Sequence, residues 1–363
     1  MSNNLLPLLL LFLSCGLTSF VSTGVVRVVA RHIALDAPNE RKIHSVETPR
    51  LGGLAIIFGF GFPLLLLAGN SHAAELVSKN ISYLCAVLAS GSLVVGLGVY
   101  DDVVGADAPR KFLVQIAAAV ILVSFGFQFS VLSFAGHEFH LGVFGSVMSV
   151  IWIVGVINAM NFIDGIDSLA TVVAITVAVS FAVIAILRVD MFSLVIMSAL
   201  AGSLIGFYPW NRPPAKIFMG DTGSLFIGLL LAAVSIVKPS KSPAALLIGG
   251  PILALGLPVL DTLIVMKQRF GGPATPIRAR VVRMFNADRR HIHHILVARF
   301  GSVVKAIVSI WIVTVLFSVA AVMTVVDGTK IYGYTIGIAG LGLMVLLRYL
   351  PRRRPPGEER ARA

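Results

Sequence analysis

Along this chain, long uninterrupted apolar stretches alternate with short polar clusters, a pattern of spanning helices rather than amphipathic ones. The apolar runs fall near residues 5–26, 51–69, 83–100, 112–134, 143–163, 168–187, 191–208, 224–237, 244–266, 303–326 and 330–349. A hydrocarbon core of roughly 30 Å takes about 20 apolar residues as a helix, so most of these runs are long enough to cross it, giving about eleven spans. The run at 224–237 is short and the one at 191–208 marginal, so one of them is expected to be tilted, broken or extended into a loop. The predicted fold class is an all-α polytopic membrane protein.

Composition agrees with that pattern. The 363 residues are 57% hydrophobic and only 13% charged, and the mean hydropathy is +0.93, which excludes an ordinary soluble domain. Basic residues then orient the chain. With the N-terminus outside, Arg27, Arg31, Arg41, Lys42 and Arg50 fall in the first inner loop. Lys267, Arg269, Arg278, Arg280, Arg283, Arg289, Arg290 and Arg299 fall in the last, and the tail from Arg352 also lies inside. Outer loops keep only Lys79, Arg188, Lys238, Lys241 and Lys330, so the positive-inside rule puts the N-terminus outside and the C-terminus in the cytoplasm. Residues 1–349 are expected to form a single transmembrane domain and 350–363 a basic, disordered cytoplasmic tail. The net charge of +12 is spread over membrane-flanking loops, so its partner is anionic lipid and not nucleic acid. No positive n-region precedes the first apolar run, which continues past Gly24, so it reads as a span and not a signal peptide. Cys15 and Cys85 both fall inside spans, predicting buried thiols and neither a disulfide nor a zinc site.

With that orientation the polar clusters share the cytoplasmic side, where embedded carboxylates are costly unless they work. Asp101 and Asp102 end the third run; adjacent carboxylates repel, so a cation must relieve them, and Lys111 is the candidate neighbour. A solvated helix end is the plain alternative for that pair alone. Asn158 and Asn161, at i and i+3 on one helix face, are followed by Asp164 and Asp167 around Gly165. Such oxygens suit a hard divalent cation, magnesium or else manganese, shared with phosphates. In Met219-Gly220-Asp221-Thr222-Gly223, the glycines allow a tight turn with amides facing an anion, and Asp221 can reach a metal beside it. His291, His293 and His294 follow Arg289-Arg290 without a zinc-like spacing, and read as an anion clamp for a diphosphate. Lys42 and His44, then Arg50 before Gly52-Gly53, suggest cations and a backbone that approaches phosphate, with ordinary anchoring as the alternative. Asp261 is a further embedded acid, for which structural pairing and catalysis are equally open.

These motifs, in this order, resemble the polyprenyl-phosphate N-acetylhexosamine-1-phosphate transferases of glycosyltransferase family 4. The resemblance rests on Arg41-Lys42-x-His44 with Pro49-Arg50-x-Gly52-Gly53, Asp101-Asp102, Asn158-x-x-Asn161-Phe162-x-Asp164-Gly165-x-Asp167, Met219-Gly220-Asp221-x-Gly223-Ser224 and His291-Ile292-His293-His294. Together they span about residues 36–300. The His-Ile-His-His form is similar to the bacterial branch that starts O-antigen, enterobacterial common antigen or teichoic acid linkage units, rather than the branch making the first peptidoglycan lipid intermediate. Two departures stand out: no acid follows Asp102 at the third position, Asp107 coming later, and Ser168 follows Asp167 where the family often has glycine.

The resemblance implies an inner-membrane enzyme, its active site on the cytoplasmic face, moving N-acetylglucosamine 1-phosphate from a UDP-sugar to undecaprenyl phosphate with release of UMP. N-acetylgalactosamine or a 6-deoxy relative (FucNAc or QuiNAc type) is the alternative sugar, and a homodimer is left open. In that scheme Asp221 and Asn161 hold magnesium, Asp101 prepares the lipid phosphate with Asp102 in support, and Asp164 and Asp167 line the nucleotide pocket. Lys111, Arg50 and the three histidines hold phosphates or sugar, with Lys42, His44, Asn158, Arg289 and Arg290 also binding substrate. A cation-coupled transporter is the rival from another class, but its acids would gather near the midplane between repeated halves, and no repeat is visible.

Overall fold

A computed structural model describes residues 2–36, 47–68, 75, 77–134, 137–237, 249–270, 290–326 and 328–349. Lys42, His44, Arg289 and the tail 350–363 lie outside the described residues. The chain runs through helix α1 (Ser2–Ile33), strands β1 (Leu35–Asp36) and β2 (Thr48–Pro49), α2 (Gly52–Ala68), α3 (Ile81–Val103) and α4 (Ala108–Ser124). Strands β3 (Val131–Phe134) and β4 (His137–His140) follow, then α5 (Gly142–Ile163), α6 (Leu169–Arg188), α7 (Met191–Asn211) and α8 (Gly220–Ile236). The last elements are α9 (Gly249–Ala254), α10 (Gly256–Phe270), α11 (Ile292–Phe300), α12 (Val303–Val325) and α13 (Lys330–Tyr349).

Seven of the described helices, α1, α3, α5, α6, α7, α12 and α13, are long and apolar enough to cross a membrane, and α2 and α8 are shorter apolar helices. Large apolar side chains face outward on α1 (Leu9, Leu13, Leu17), α5 (Val143, Val147, Ile151) and α13 (Ile331, Ile338). Contiguous exposed apolar faces of this kind suit lipid and not water. The marginal run at 191–208 becomes a regular helix, Met191–Asn211, of 21 residues. The run at 244–266 is broken into α9 and α10.

Two expectations from hydropathy are corrected. The run at 112–134 is not one span, because α4 stops at Ser124, Gly126 takes φ +100°, and the Phe127 N–H closes back on Leu122 O at 3.1 Å. Its remainder, β3, pairs antiparallel with β4 from Val131 opposite His140 to Phe134 opposite His137. Hydropathy alone cannot separate a buried helix from an apolar strand. Cys15 is buried, but Cys85 is exposed, because the inward face of α3 runs through Ala86, Ser90, Val94 and Leu97.

Helix α8 is the centre of the packing, with every residue from Thr222 to Ala233 buried. Three helices meet it through glycines. A Cβ on Gly53 of α2 would lie 2.1 Å from Gly223 N, and one on Gly98 of α3 would lie 2.4 Å from Thr222 Cα. One on Gly228 of α8 itself would lie 2.7 Å from Ile157 Cα of α5. Small residues at these crossings let backbones touch, as close helix packing in a membrane demands. The start of α2 and the ends of α3 and α5 are thereby drawn toward α8.

Candidate active site

The end of α3, the start of α4 and the start of α8 bring three charged side chains into one cluster. Lys111 Nζ donates to Asp101 Oδ2 and to Asp221 Oδ2, both at 2.7 Å. Asp101 Oδ1 also accepts from Ala106 N–H at 2.7 Å, which folds the α3–α4 turn over the carboxylate. The expected relief of the paired acids by Lys111 is therefore found for Asp101.

Asp102 is held differently. Buried to 8% exposure, it accepts from Asp221 N–H at 2.9 Å, Thr222 N–H at 3.0 Å and Thr222 Oγ1–H at 2.6 Å. It thus satisfies amides at the N-terminus of α8 from another helix, where a negative charge also meets the positive end of the dipole. The amides of the Met-Gly-Asp turn do face an anion, and that anion is Asp102. Gly220 makes this approach feasible. It adopts φ +71°, and a Cβ there would sit 2.5 Å from Asp102 Oδ2.

Oxygens of Asp101, Asp102 and Asp221 lie within 4.8 Å of one another, so the donor set has the hard-oxygen chemistry that a divalent cation takes. Lys111 already supplies a cation between two of these groups. Asp107, off the expected position for a third acid, caps α4 through Arg110 N–H at 3.1 Å.

From α5, Asn161 Nδ2 donates to Ser224 Oγ at 2.9 Å and the side chain reaches the Asp221 carboxylate. Asn158 turns to α4, donating to Gln115 Oε1 at 2.6 Å and to its own helix at Val154 O, 2.8 Å. Of the two asparagines, Asn161 joins the carboxylate cluster and Asn158 ties α5 to α4. Asp164, just beyond α5, has its carboxyl pushed well above the usual carboxylate range by burial, with the charges of Asp221 and Asp102 adding and Arg50 opposing. Asp167 Oδ2 accepts from Ala215 N–H at 2.9 Å and pins the segment entering α8 to the α5–α6 turn.

Arg50 is placed by a backbone zipper. Arg50 N–H bonds Ala34 O at 2.9 Å, Phe218 N–H bonds Pro49 O at 2.9 Å, and Gly52 and Gly53 N–H bond Phe218 O and Met219 O at 2.9 and 2.8 Å. This corrects the expected use of Gly52 and Gly53. They admit the backbone of residues 218–223 and leave no approach there for a phosphate.

The histidine motif sits on α11 and its preceding turn. His291 Nδ1 lies 2.8 Å from Asp261 Oδ2, and Ile292 N–H donates to Asp261 Oδ1 at 3.1 Å. Embedded Asp261 is therefore the anchor of the motif. Arg348, from α13, donates to the same Asp261 Oδ1 at 2.6 Å and to Arg290 O at 2.8 Å. His293 stacks beside His291 at 5.9 Å and tilts against His294 at 4.2 Å. Burial, then the neighbouring His294 and His291, pull its imidazole well below the ordinary histidine range. Both of its ring nitrogens are buried with no hydrogen-bond partner among the described residues, so His293 is placed to bring no charge to the expected anion clamp. Gly165 is what lets it in, since a Cβ there would meet His293 Nε2 at 2.3 Å.

Sequence reasoning missed Thr222, Gln115 and Arg348. Thr222 follows the Asp221 motif and could have been found as a capping partner. Arg348 could not, because a lone arginine ending a span before a basic tail is what anchoring alone produces.

Helices closing on acids bridged by a lysine, with an arginine and histidine arm beside them, define a membrane enzyme centre built for charged groups, and the sequence relatives agree. Residues 84–238 match the family described as Glycosyl transferase family 4. The chain is 32% identical to a probable undecaprenyl-phosphate N-acetylglucosaminyl 1-phosphate transferase of Bacillus subtilis, over 89% of this chain and 86% of the relative. It is 32% identical to a decaprenyl-phosphate N-acetylglucosaminephosphotransferase of Mycolicibacterium smegmatis, over 97% and 91%. A phospho-N-acetylmuramoyl-pentapeptide-transferase of Sulfurimonas denitrificans matches at 30% over 78% and 83%. The chain belongs to the polyprenyl-phosphate N-acetylhexosamine-1-phosphate transferase family, and it is a multi-pass membrane phosphotransferase.

Proposed function

We propose that the protein transfers N-acetylglucosamine 1-phosphate from UDP-N-acetylglucosamine to undecaprenyl phosphate, releasing UMP at the cytoplasmic face of a bacterial inner membrane. The observation that carries this reading is Lys111 bonded at 2.7 Å to both Asp101 and Asp221. Two phosphate-bearing substrates can approach one another only where charge is neutralised and geometry fixed. The names of the relatives, which specify a polyprenyl phosphate and N-acetylglucosamine, support the substrates. The basic inner loops support the orientation, with about eleven crossings in all.

In the reaction an oxygen of the lipid phosphate attacks the β-phosphorus of the UDP-sugar, a new P–O–P bridge forms, and the bond to the UMP oxygen breaks. One pyrophosphate link replaces another, so the balance is close and the reaction reversible. Asp101 orients the lipid phosphate and takes its proton where one is present. Asp102 supports by fixing the first turn of α8, and with it Asp221. Asp221 and Asn161, with Asp101 nearby, are the residues that would hold magnesium, and manganese is the close substitute. That metal would supply charge neutralisation on the diphosphate. Lys111, Arg50 and Arg290 contribute cationic contacts to phosphate, and Asp164, Asp167, His291, His293 and His294 surround the nucleotide and sugar.

The test is a membrane preparation given undecaprenyl phosphate and a panel of UDP-sugars, scored for UMP. UMP release with UDP-N-acetylglucosamine, dependent on the lipid phosphate, is expected. Release with UDP-N-acetylgalactosamine alone would reassign the sugar, and no lipid-dependent release with any sugar would overturn the reading.

A further inference from the structure

Among the described residues the most buried charged contact away from the carboxylate cluster is Asp261 with Arg348, and neither motif nor relative's name assigns it a role. Both side chains are almost wholly enclosed, Asp261 at 2% and Arg348 at 5% exposure. Burying an ion pair costs several kcal/mol per ion before the mutual attraction repays it, so a pair this enclosed has to be well connected. It is. Asp261 Oδ1 takes Arg348 Nη1 at 2.6 Å and Ile292 N–H at 3.1 Å, while Oδ2 takes His291 Nδ1 at 2.8 Å. The second arm of the guanidinium, Nη2, holds Arg290 O at 2.8 Å. Arg299 Nη1 donates to Leu347 O, tying α11 to α13 a second time. Helix α13 therefore holds Arg290 directly and Ile292 through Asp261.

The chemical consequence follows from donor counting. An aspartate bonded to a guanidinium is an acceptor only, so the proton between Asp261 and His291 sits on Nδ1. In a neutral imidazole that leaves Nε2 as a lone-pair acceptor. His291 is 4% exposed, and its Nε2 is buried with no hydrogen-bond partner among the described residues. A buried acceptor without a partner is costly, and such a cost is tolerated where a ligand completes the bond. Phe162, from the same turn as Asp164, packs 5.4 Å from the ring.

We propose that Asp261 and Arg348 are positioning residues that hold His291 in the Nδ1–H tautomer, so that its Nε2 accepts a hydrogen bond from a hydroxyl or amide N–H of the nucleotide sugar. This rests on the proposed reaction for its substrate but not for its geometry. Arg348 touches nothing that reacts; it acts through Asp261 on His291.

The experiment is a double-mutant cycle on the full-length protein in membranes, with UMP release as the readout. Arg348→Met should lower kcat roughly 10- to 100-fold, the usual cost of removing a partner that orients a working side chain. His291→Ala should lower it at least as far. In the His291→Ala background Arg348→Met should cost less than about twofold more, because residues that act as one unit are not additive. An equal loss in both backgrounds would make Arg348 a support of the fold alone and overturn the proposal, as would wild-type kcat in Arg348→Met. Should Arg348→Met fail to accumulate, Arg348→Lys keeps the charge but not the two-armed fork, and the same cycle is run with it. Wild-type turnover in His291→Ala would overturn the proposal while leaving the reaction standing. A second readout needs no turnover. With the chain's 8 histidines labelled with nitrogen-15, the His291 signal, identified by its loss in His291→Ala, should report a proton on Nδ1. It should lose that state in Arg348→Met. An unchanged tautomer there would overturn the proposal whatever sugar the enzyme uses.

Discussion

The carboxylate centre and the histidine arm both meet the α5–α6 turn and are built on opposite principles. Around α8 the backbone does the positioning. Glycines at 53, 98 and 228 bring three helices into contact with α8, and Asp221 stands in its first turn. In the histidine arm side-chain charges do the positioning of His291, through Asp261 and Arg348. A centre fixed by backbone contact tolerates few changes of volume. An arm fixed by hydrogen bonds tolerates volume better and changes of charge worse.

The largest effect is expected where charge and backbone meet. Asp221→Asn should lower UMP release roughly 10²–10³-fold, the scale for removing a group that stabilises developing charge, and should raise the magnesium concentration needed for half-maximal rate. Full activity at limiting magnesium would return the Met-Gly-Asp turn to mere punctuation between helices.

Asp102→Ala separates positioning from charge. It strips three donors on Asp221 and Thr222 of their acceptor, each costing about 1–3 kcal/mol if left buried and unpaired. A lower thermal midpoint in detergent should accompany a loss of turnover, and Asp102→Asn should restore part of both. An unchanged midpoint for Asp102→Ala would show that α8 is held without its cap.

Gly165→Ala probes the softer side and should have the smallest effect. Its new Cβ would displace His293, whose Nε2 lies 2.3 Å from that position, while an exposed turn can otherwise accept alanine. The KM for UDP-sugar should rise about three- to tenfold, equivalent to about 1 kcal/mol, with the thermal midpoint near wild type. A large loss of stability instead would mean that the arm is as rigid as the α8 centre, and the contrast would fail.

The same contrast decides what was legible in the sequence. Asp101, Asp221 and Lys111 stand out locally, because a charge embedded beside apolar runs and glycines is too costly to be kept for packing alone. Thr222 stands beside Asp221 in the same motif, though its partner Asp102 lies 120 residues away. The glycines at 52 and 53 carry a true signal of close approach, but no pattern tells a phosphate from the backbone of α8. Hydropathy located all the helices between residues 143 and 236, yet read 112–134 as one span, because alternation in a strand as short as Val131–Phe134 is too brief to register. Arg348 was hidden for a different reason: its meaning lies wholly in a partner that no local window contains.

That separation also has a consequence in time. Asp261 and Arg348 are 87 residues apart, and a ribosome adding about 5–20 residues per second needs roughly 4–17 s to cover such a gap. For that interval α10 is already made while the cation that its carboxylate needs has not been translated. Until α13 arrives, the Asp261 carboxylate lacks its Arg348 partner and depends on water or other groups for its hydrogen bonds. The order of synthesis therefore makes closure of the histidine arm wait for α13.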